Sequence, residues 1–332
     1  MADGMARVLC DGSFPLERVR ELLGESGPGV ETSGPPWAGD DVVGLLSFEP
    51  VTAEDIARLP ELRVIATPSV GLDHLDVEAA TSRGVWVCNV PDYCVEEMAD
   101  HSLALLLALV RGIVELDRSV RDGKWDYAAA GALRRIADIR LGIVGFGRIG
   151  GALALRGLAL GMDVAAYDPV VAGEELRAAG VRPAALDDLL ASSDAISVHA
   201  PLTTETRGLI GREQIALLPP GAVVVNASRA GLVDTEALLQ SLAEGRIAGV
   251  ALDVLEVEPP TADGPAPRAP RLVVNPHAGW YSERASDAAV VGAVESVREA
   301  LGGRRPSNAI NDPVERWSRP RVRWANGRTS SS

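Results

Sequence analysis

The chain has 332 residues, a formal net charge of −14 and 47% hydrophobic residues. That length holds about two domains, and a mean hydropathy of +0.11 excludes wholesale disorder. The acidic balance argues against a nucleic-acid partner held by a general positive field. The longest apolar stretch, Leu103–Val110, falls short of the ~20 residues that cross a bilayer, so no membrane partner is expected.

The first third carries short apolar runs read as strands near Arg7–Cys10, Val42–Leu46, Val64–Ala66 and Val85–Val87. Helices are expected between them, one at Thr52–Leu59 opened by Thr52 and Asp55. A longer helix over about Glu96–Arg111 is apolar on most faces and should be buried. A polar, glycine-containing stretch, Arg121–Asp138, follows. Six further strands are predicted at Leu141–Gly145, Asp163–Tyr167, Ala195–Val198, Ala222–Asn226, Ala248–Leu252 and Leu272–Val274. Strands alternating with helices in this way predict α/β architecture with parallel sheets, the second of them a doubly wound dinucleotide fold. Thr261–Pro270 reads as a Pro-rich loop, Ala285–Leu301 as a last helix and the residues from Arg316 as a basic, frayed tail.

Residue usage narrows the chemistry. Lys124 is the only lysine, which leaves almost no room for a lysine Schiff base or a P-loop lysine. Cys10, Cys88 and Cys94 form no C-x-x-C pair, so neither a metal site nor a disulfide framework is visible. Met1–Arg7 carries acidic residues without a long apolar core, so no signal peptide is read there and a reduced, cytoplasmic protein is expected.

The strand Leu141–Gly145 runs into Gly145-Phe-Gly147-Arg-Ile-Gly150, then a helix that Gly161 would stop, then a strand ending at Asp168. In this order the glycines give a tight turn, close backbone approach to a pyrophosphate and close helix–strand packing. The free N–H groups of the helix start favour the anion. Arg148 is placed to add a phosphate contact and Asp168 to accept from the adenosine ribose. Asp168 would repel a ribose phosphate and Pro169-Val170-Val171 offers no arginine for one, so NAD is expected over NADP.

Hydride transfer to a carbonyl beside a carboxylate needs a general acid, a cation on the substrate and a group that keeps the acid protonated. The four histidines are His74, His101, His199 and His277. His74 reads as a helix-start residue and His101 as a satisfied polar group on an apolar helix. His199 ends a strand on the cofactor side, where it packs. His277 ends the last strand at the edge where ligands bind, and is the candidate acid. Arg229 follows the strand Ala222–Asn226 at the same edge and is the candidate cation. A carboxylate after the strand Ala248–Leu252 would favour the imidazolium; the residues alone leave Glu256 and Glu258 both open.

Together these residues resemble the D-isomer-specific 2-hydroxyacid dehydrogenase family. The resemblance spans nearly the whole chain. Its markers are Val70-Gly-Leu-Asp-His-Leu-Asp76, Asn89-Val-Pro91, Glu97 and Asp100, Gly145–Gly150, His199-Ala-Pro-Leu-Thr203 with Glu205-Thr-Arg207, Pro220-Gly221 to Arg229, Leu252-Asp-Val-Leu-Glu-Val-Glu-Pro259 and Pro276-His277. The resemblance implies Glu258, before the proline, as the acid's partner, Arg229 as the substrate-orienting cation and His277 as the acid/base. It implies that Asp253 bonds the nicotinamide carboxamide and that backbone N–H groups around Ser69, Val70 and Gly71 hold the substrate carboxylate. The cofactor set extends to Ile149, His199, Pro201, Thr206, Ala227, Ser228 and His277. The implied fold is two doubly wound parallel-sheet domains. A Rossmann coenzyme domain (98–287) is inserted into a flavodoxin-like substrate domain (1–97 and 288–332), with the active site in the cleft. Small 2-keto and 2-hydroxy acids are the implied partners, NAD the cofactor and a homodimer through the coenzyme domains the assembly.

His277-Ala-Gly-Trp280-Tyr-Ser-Glu283 resembles the branch containing the C-terminal binding proteins, which implies Trp280 as a wall of the substrate side-chain pocket, favouring apolar or thioether chains. Hinge packing is the competing role for Trp280. The family commonly has Gly-x-Gly before Leu72-Asp73, where this chain has Ser69-Val70-Gly71. Phe48, Glu49 and Tyr93 are further candidates to face the cleft. Two alternatives stand beside the reductase. One is an NADH-sensing dimeric scaffold of the C-terminal binding protein type, which has no need of Arg229, Glu258 and His277. The other is a phosphite- or formate-type dehydrogenase; the phosphite enzymes use a lysine near the carboxylate loop, far from Lys124 in sequence.

Overall fold

The structure, a computed structural model, describes residues 6–25, 27–261 and 269–313. The residues before Ala6, most of the Pro-rich stretch and the tail from Arg316 lie outside the described residues. In chain order the elements are β1 (Arg7–Cys10), α1 (Leu16–Leu23), β2 (Gly29–Thr32), β3 (Val42–Leu46), α2 (Ala53–Ala57), β4 (Val64–Ala66), α3 (Val77–Ser82), β5 (Trp86–Cys88), α4 (Val95–Val110) and α5 (Ile113–Arg121). They continue with β6 (Arg140–Val144), α6 (Arg148–Ala159), β7 (Asp163–Tyr167), α7 (Gly173–Ala178), β8 (Arg182–Pro183), α8 (Leu186–Ser192), β9 (Ala195–Val198), α9 (Arg212–Leu217), β10 (Val223–Asn226), α10 (Thr235–Ala243), β11 (Gly249–Leu252), β12 (Leu272–Val274) and α11 (Glu283–Leu301). The chain divides into two compact units, Met1–Tyr93 with Ser282–Ser332, and Cys94–Tyr281.

The first unit is built on a five-stranded parallel sheet ordered β2-β1-β3-β4-β5, the flavodoxin-like order. Its strands send alternate residues to opposite faces: Val8 and Cys10 join the core that includes Val294 and Val297 of α11, while Leu9 joins the one that includes Ile56 of α2. Helix α2 opens with the capping box expected at Thr52 and Asp55: each backbone N–H donates to the other's side chain, at 3.2 and 3.0 Å. Ser282 caps α11, accepting from Ala285 N at 2.9 Å, so the last helix starts two residues before the expected Ala285.

The second unit carries a seven-stranded parallel sheet ordered β12-β11-β10-β9-β6-β7-β8. This is the six-strand dinucleotide-fold order, read from β8 to β11, with β12 added beyond it; β8, absent from the six predicted strands, pairs with β7 through Arg182 and Pro183 alone. Strands β9 and β10 are buried at every residue, which is why they read as continuous apolar runs. Val223 and Val225 enter the core that α4 and α6 share, and Val224 enters the opposite one with α8 and α10. Helix α4 packs against α6, and Arg156 of α6 pairs with Glu96 and Asp100 of α4. Past α4, Gly112 (φ +60) turns the chain into α5, which occupies residues up to the start of the stretch read as polar.

Among the described residues no helix is long and apolar enough to cross a membrane, and no group of three or more His, Cys, Asp or Glu could hold a metal ion. The three cysteines are buried.

Candidate active site

All seven strands of the second unit run parallel, so their C-terminal ends share one edge. The chain reverses direction of growth between β6 and β9, which makes their ends the switch point where an open α/β sheet binds ligands. The glycine loop follows β6 there. Gly145 sits at φ +94, and a Cβ on it would come within 2.6 Å of Ala200 N; a Cβ on Gly150 would run into the Gly145 carbonyl oxygen. Packing therefore demands these two glycines. Gly147 differs, since a Cβ there would meet no heavy atom within 4 Å. No protein neighbour requires a glycine at the mouth of α6, which fits a backbone left bare for a ligand. Together with the N–H groups opening the twelve-residue α6, this cradle fits a dinucleotide pyrophosphate. Arg148 is exposed at the first helical position and Ile149 is half-buried behind it.

Asp168 ends β7. Its carboxylate accepts from Phe146 N (2.7 Å), Val170 N (2.8 Å) and Val171 N (3.0 Å). Burial opposes its ionisation, but the three N–H donors outweigh burial and hold the carboxyl below its usual range. Asp168 thus fixes the glycine loop to β7, with one of about four acceptor positions left for a ribose hydroxyl. His199 follows β9; its Nε2 is 2.8 Å from Ser197 Oγ, and its Nδ1 is buried without a hydrogen-bond partner among the described residues. Burial lowers its pKa to about 4, so the ring is neutral near pH 7. Thr206 braces the following loop by donating to Pro201 O at 2.6 Å. Ala227 is buried, and Ser228 Oγ donates to Val198 O at 2.8 Å, tying the ends of β9 and β10.

His277 and Glu258 meet as expected, with Nδ1 2.8 Å from Glu258 Oε2. The other oxygen, Oε1, accepts from Leu255 N at 2.7 Å, which orients the carboxylate on its own loop. An ionised carboxylate only accepts, so Nδ1 carries hydrogen and Nε2 is the nitrogen left to exchange a proton with a substrate. The two side chains are 40% and 37% exposed, open enough for a ligand to reach them. His277 lies at φ +52, a conformation that costs a non-glycine residue of order 1 kcal/mol and persists where the surroundings impose it.

Asp253 imposes it. His277 N donates to Asp253 O (2.8 Å), and Ala278 N and Gly279 N donate to its two carboxylate oxygens, both at 2.9 Å. The Asp253 side chain is buried, with His101 Nε2 3.4 Å away. Burial opposes its ionisation, while His101 and the two N–H donors prevail and keep the carboxyl below its usual range. Asp253 thus anchors the histidine loop, with His101 as its neighbour. Gly279 is a site residue the sequence reading passed over: a Cβ there would lie 2.9 Å from Asp253 Oδ2 and 3.0 Å from His101 Cδ2.

Arg229 follows β10, two strands from β12. Asn226, also unremarked in the sequence, shapes its loop, donating to Arg229 O (2.9 Å) and accepting from Ser228 N (3.1 Å). Its polarity at the end of a buried strand was the available signal. The Arg229 guanidinium is half-buried and donates to Ser228 O at 2.9 Å. Trp280 is half-buried and meets Tyr281 edge-on, ring centroids 5.6 Å apart.

In the first unit, Ser69, Val70 and Gly71 follow β4. Ser69 O accepts from Val90 N (3.0 Å), Val70 O from Asn89 Nδ2 (2.8 Å) and Gly71 O from Ser69 Oγ (2.8 Å). Phe48 N and Glu49 N donate to the buried Asp11 carboxylate, while Tyr93 packs against the core under α11.

Residues 103–279 match the family described as D-isomer specific 2-hydroxyacid dehydrogenase, NAD binding domain. The chain is 43% identical over 271 residues to the D-3-phosphoglycerate dehydrogenase of Mycobacterium leprae, covering 82% of this chain and 51% of that protein, so it spans about half that relative's length. It is 40% identical over 278 residues to the glyoxylate reductase of Korarchaeum cryptofilum, covering 83% of each. The D-lactate dehydrogenase of Aquifex aeolicus, solved with NAD and lactic acid, superposes with a TM-score of 0.80 at 29% identity, covering 89% of this chain and 96% of that one. With its doubly wound sheet and glycine loop, the chain belongs to the D-isomer specific 2-hydroxyacid dehydrogenase family and carries that family's NAD-binding domain.

Proposed function

We propose that the protein is an NADH-dependent reductase of small 2-keto acids, forming the D-2-hydroxy acid reversibly. The observation that carries this reading is the Glu258–His277 pair, 2.8 Å apart, at the C-terminal edge of the sheet whose switch point holds the glycine cradle. The cofactor's contribution, when bound, is a hydride for C2 of the keto acid. His277 gives a proton from Nε2 to the carbonyl oxygen, while Glu258 holds Nδ1 and opposes the positive charge with its own. Arg229 polarises the carbonyl and binds the carboxylate. Trp280 walls the side-chain pocket and favours an apolar substituent. The D configuration rests on the family alone.

A cytoplasmic homodimer through the second unit is part of the proposal. On that unit Trp125 and Tyr127 are 93% and 91% exposed, close after the exposed Ile113 and Val120 of α5, an apolar surface of the kind that associates.

The test is loss of NADH absorbance against glyoxylate, pyruvate, 3-phosphohydroxypyruvate, 4-methylthio-2-oxobutyrate and phenylpyruvate, with NADPH as the control. Turnover with NADH of an apolar-chain acid supports both the class and Trp280. Tight NADH binding with no turnover of any acid would overturn the reductase in favour of an NADH-sensing scaffold.

A further inference from the structure

Three successive amides of the histidine loop end on one residue. His277 N donates to Asp253 O, and Ala278 N and Gly279 N donate to its two carboxylate oxygens, so a single anchor fixes the backbone that carries the imidazole. The anchor is itself set in the sheet: Asp253 follows β11, and its N–H donates to Asn226 O at 3.0 Å. All of these residues belong to the second unit.

Such an anchor works only while it is ionised. A carboxylate accepts at both oxygens, whereas a protonated carboxyl turns one of them into a donor. One loop amide would then lose its acceptor, and His277, at φ +52, would lose part of what imposes its conformation. Yet the Asp253 side chain is fully buried, where a charge is costly unless donors compensate it. Two of its donors are the loop amides themselves. His101 is the third group: among the described residues it is the one basic side chain within ion-pair reach, its Nε2 3.4 Å from Asp253 Oδ1. That nitrogen is buried and makes no aligned hydrogen bond among the described residues, so the Asp253 oxygen is the acceptor it faces. A carboxylate only accepts, which puts the hydrogen on Nε2. Helix α4 brings the ring there. Met98 and His101, three residues apart, share the face that meets Gly279: a Cβ at 279 would lie 3.1 Å from Met98 Sδ and 3.0 Å from His101 Cδ2. The ring thus meets the loop by packing and the loop's anchor by charge.

We propose that His101 is a positioning residue: the N–H at its Nε2 keeps Asp253 ionised, and through Asp253 it holds the backbone of His277 in the geometry that proton transfer needs. The inference rests on the proposed function for the step that His277 performs, and adds a residue from another element that orders it. His101 acts through Asp253 and not on the reacting atoms, so its loss slows the chemical step and leaves substrate affinity in place.

The test compares wild type with His101→Leu, which removes the donor, and His101→Gln, whose side-chain amide puts an N–H near the place of Nε2. The readouts are kcat and KM for a 2-keto acid that the wild type reduces, and hydrogen exchange by mass spectrometry in a peptide containing residues 277–279, with β9 as the internal control. The expected result for His101→Leu is kcat lowered about tenfold and exchange at 277–279 about tenfold faster, with KM and exchange in β9 unchanged. His101→Gln is expected to recover most of both losses. Wild-type kcat and wild-type exchange in His101→Leu would overturn the inference. So would a His101→Gln variant as impaired as His101→Leu, or equally faster exchange in β9, since either makes His101 a packing residue. If the wild type reduces no keto acid, the functional reading falls, and exchange still decides the positioning role: protection at 277–279 indifferent to both variants refutes it.

Discussion

The two edges of the seven-stranded sheet hold carboxylates in opposite ways. At the N-terminal edge Asp194 is 7% exposed and saturated: Arg140 grips both oxygens at 2.8 and 2.9 Å, Arg140 N donates at 3.0 Å and Arg134 at 2.6 Å. At the C-terminal edge Glu258 is 37% exposed, with one backbone N–H and one imidazole for partners. The first arrangement spends every lone pair on the fold. The second pairs with a histidine whose side chain is itself 40% exposed. Charge at a strand end is thus no sign of function by itself; what distinguishes the edges is whether the hydrogen-bonding capacity is used up.

The largest effect should come from the catalytic edge. On the proposed function, Arg229→Ala removes the cation from the developing alkoxide and is expected to lower kcat/KM by about 10²–10³, with the melting temperature nearly unchanged. Steady-state kinetics beside a thermal melt checks this; a large drop in melting temperature would assign Arg229 to the fold instead. Glu258→Gln keeps the shape but removes the charge beside His277. A fall in kcat of about tenfold to a hundredfold, with NADH affinity intact, is expected.

The opposite edge should answer in stability and not in turnover. Asp194→Asn is expected to cost ~2 kcal/mol in urea unfolding, the order implied by a carboxyl lowered from its ordinary value to about 2. Burial opposes that ionisation and the Arg140 hydrogen bonds and charge overcome it. Because the folded value lies below the unfolded one, the contribution is complete above about pH 4 and is lost as pH falls towards 2. Unfolding curves across that window should converge for wild type and variant. If they stay apart, the ion pair is not the cause.

The smallest effect concerns His199, whose burial holds its pKa near 4, below an unfolded value of about 6.5. The unfolded state binds the extra proton first, so stability should fall as pH drops from about 6.5 to 4. His199→Gln should flatten that part of the profile, measured by denaturant midpoints; an unchanged slope would reject the assignment.

Much of this was legible in the sequence because buried parallel strands announce themselves as Val- and Ile-rich runs, and the residues after them fall on one edge by topology. That logic located His277, Arg229 and the glycine loop. It was weaker where structure depends on tertiary context. Strand β2, Gly-Val-Glu-Thr, and the two-residue β8 lie at sheet edges, half exposed, and carry no apolar run. Helix α5 was hidden by Gly112, although Ile113, Val114, Leu116 and Val120 mark a helical face. Composition also says nothing about where a carboxylate turns. Asp168 and Asp253 stand at strand ends as a ligand-binding acid would; that they also accept from three and two backbone N–H groups of neighbouring loops is revealed only by the folded backbone.

His277 is proposed as the acid at the edge that would hold the cofactor. The most direct measurement is single-turnover NADH oxidation by wild type and His277→Ala with a 2-keto acid the wild type accepts, alongside NADH affinity for both. A rate lower by about 10²–10⁴ in the variant, with NADH affinity preserved, is expected. A variant that turns over at the wild-type rate, or that loses NADH binding in proportion to its rate, would contradict it.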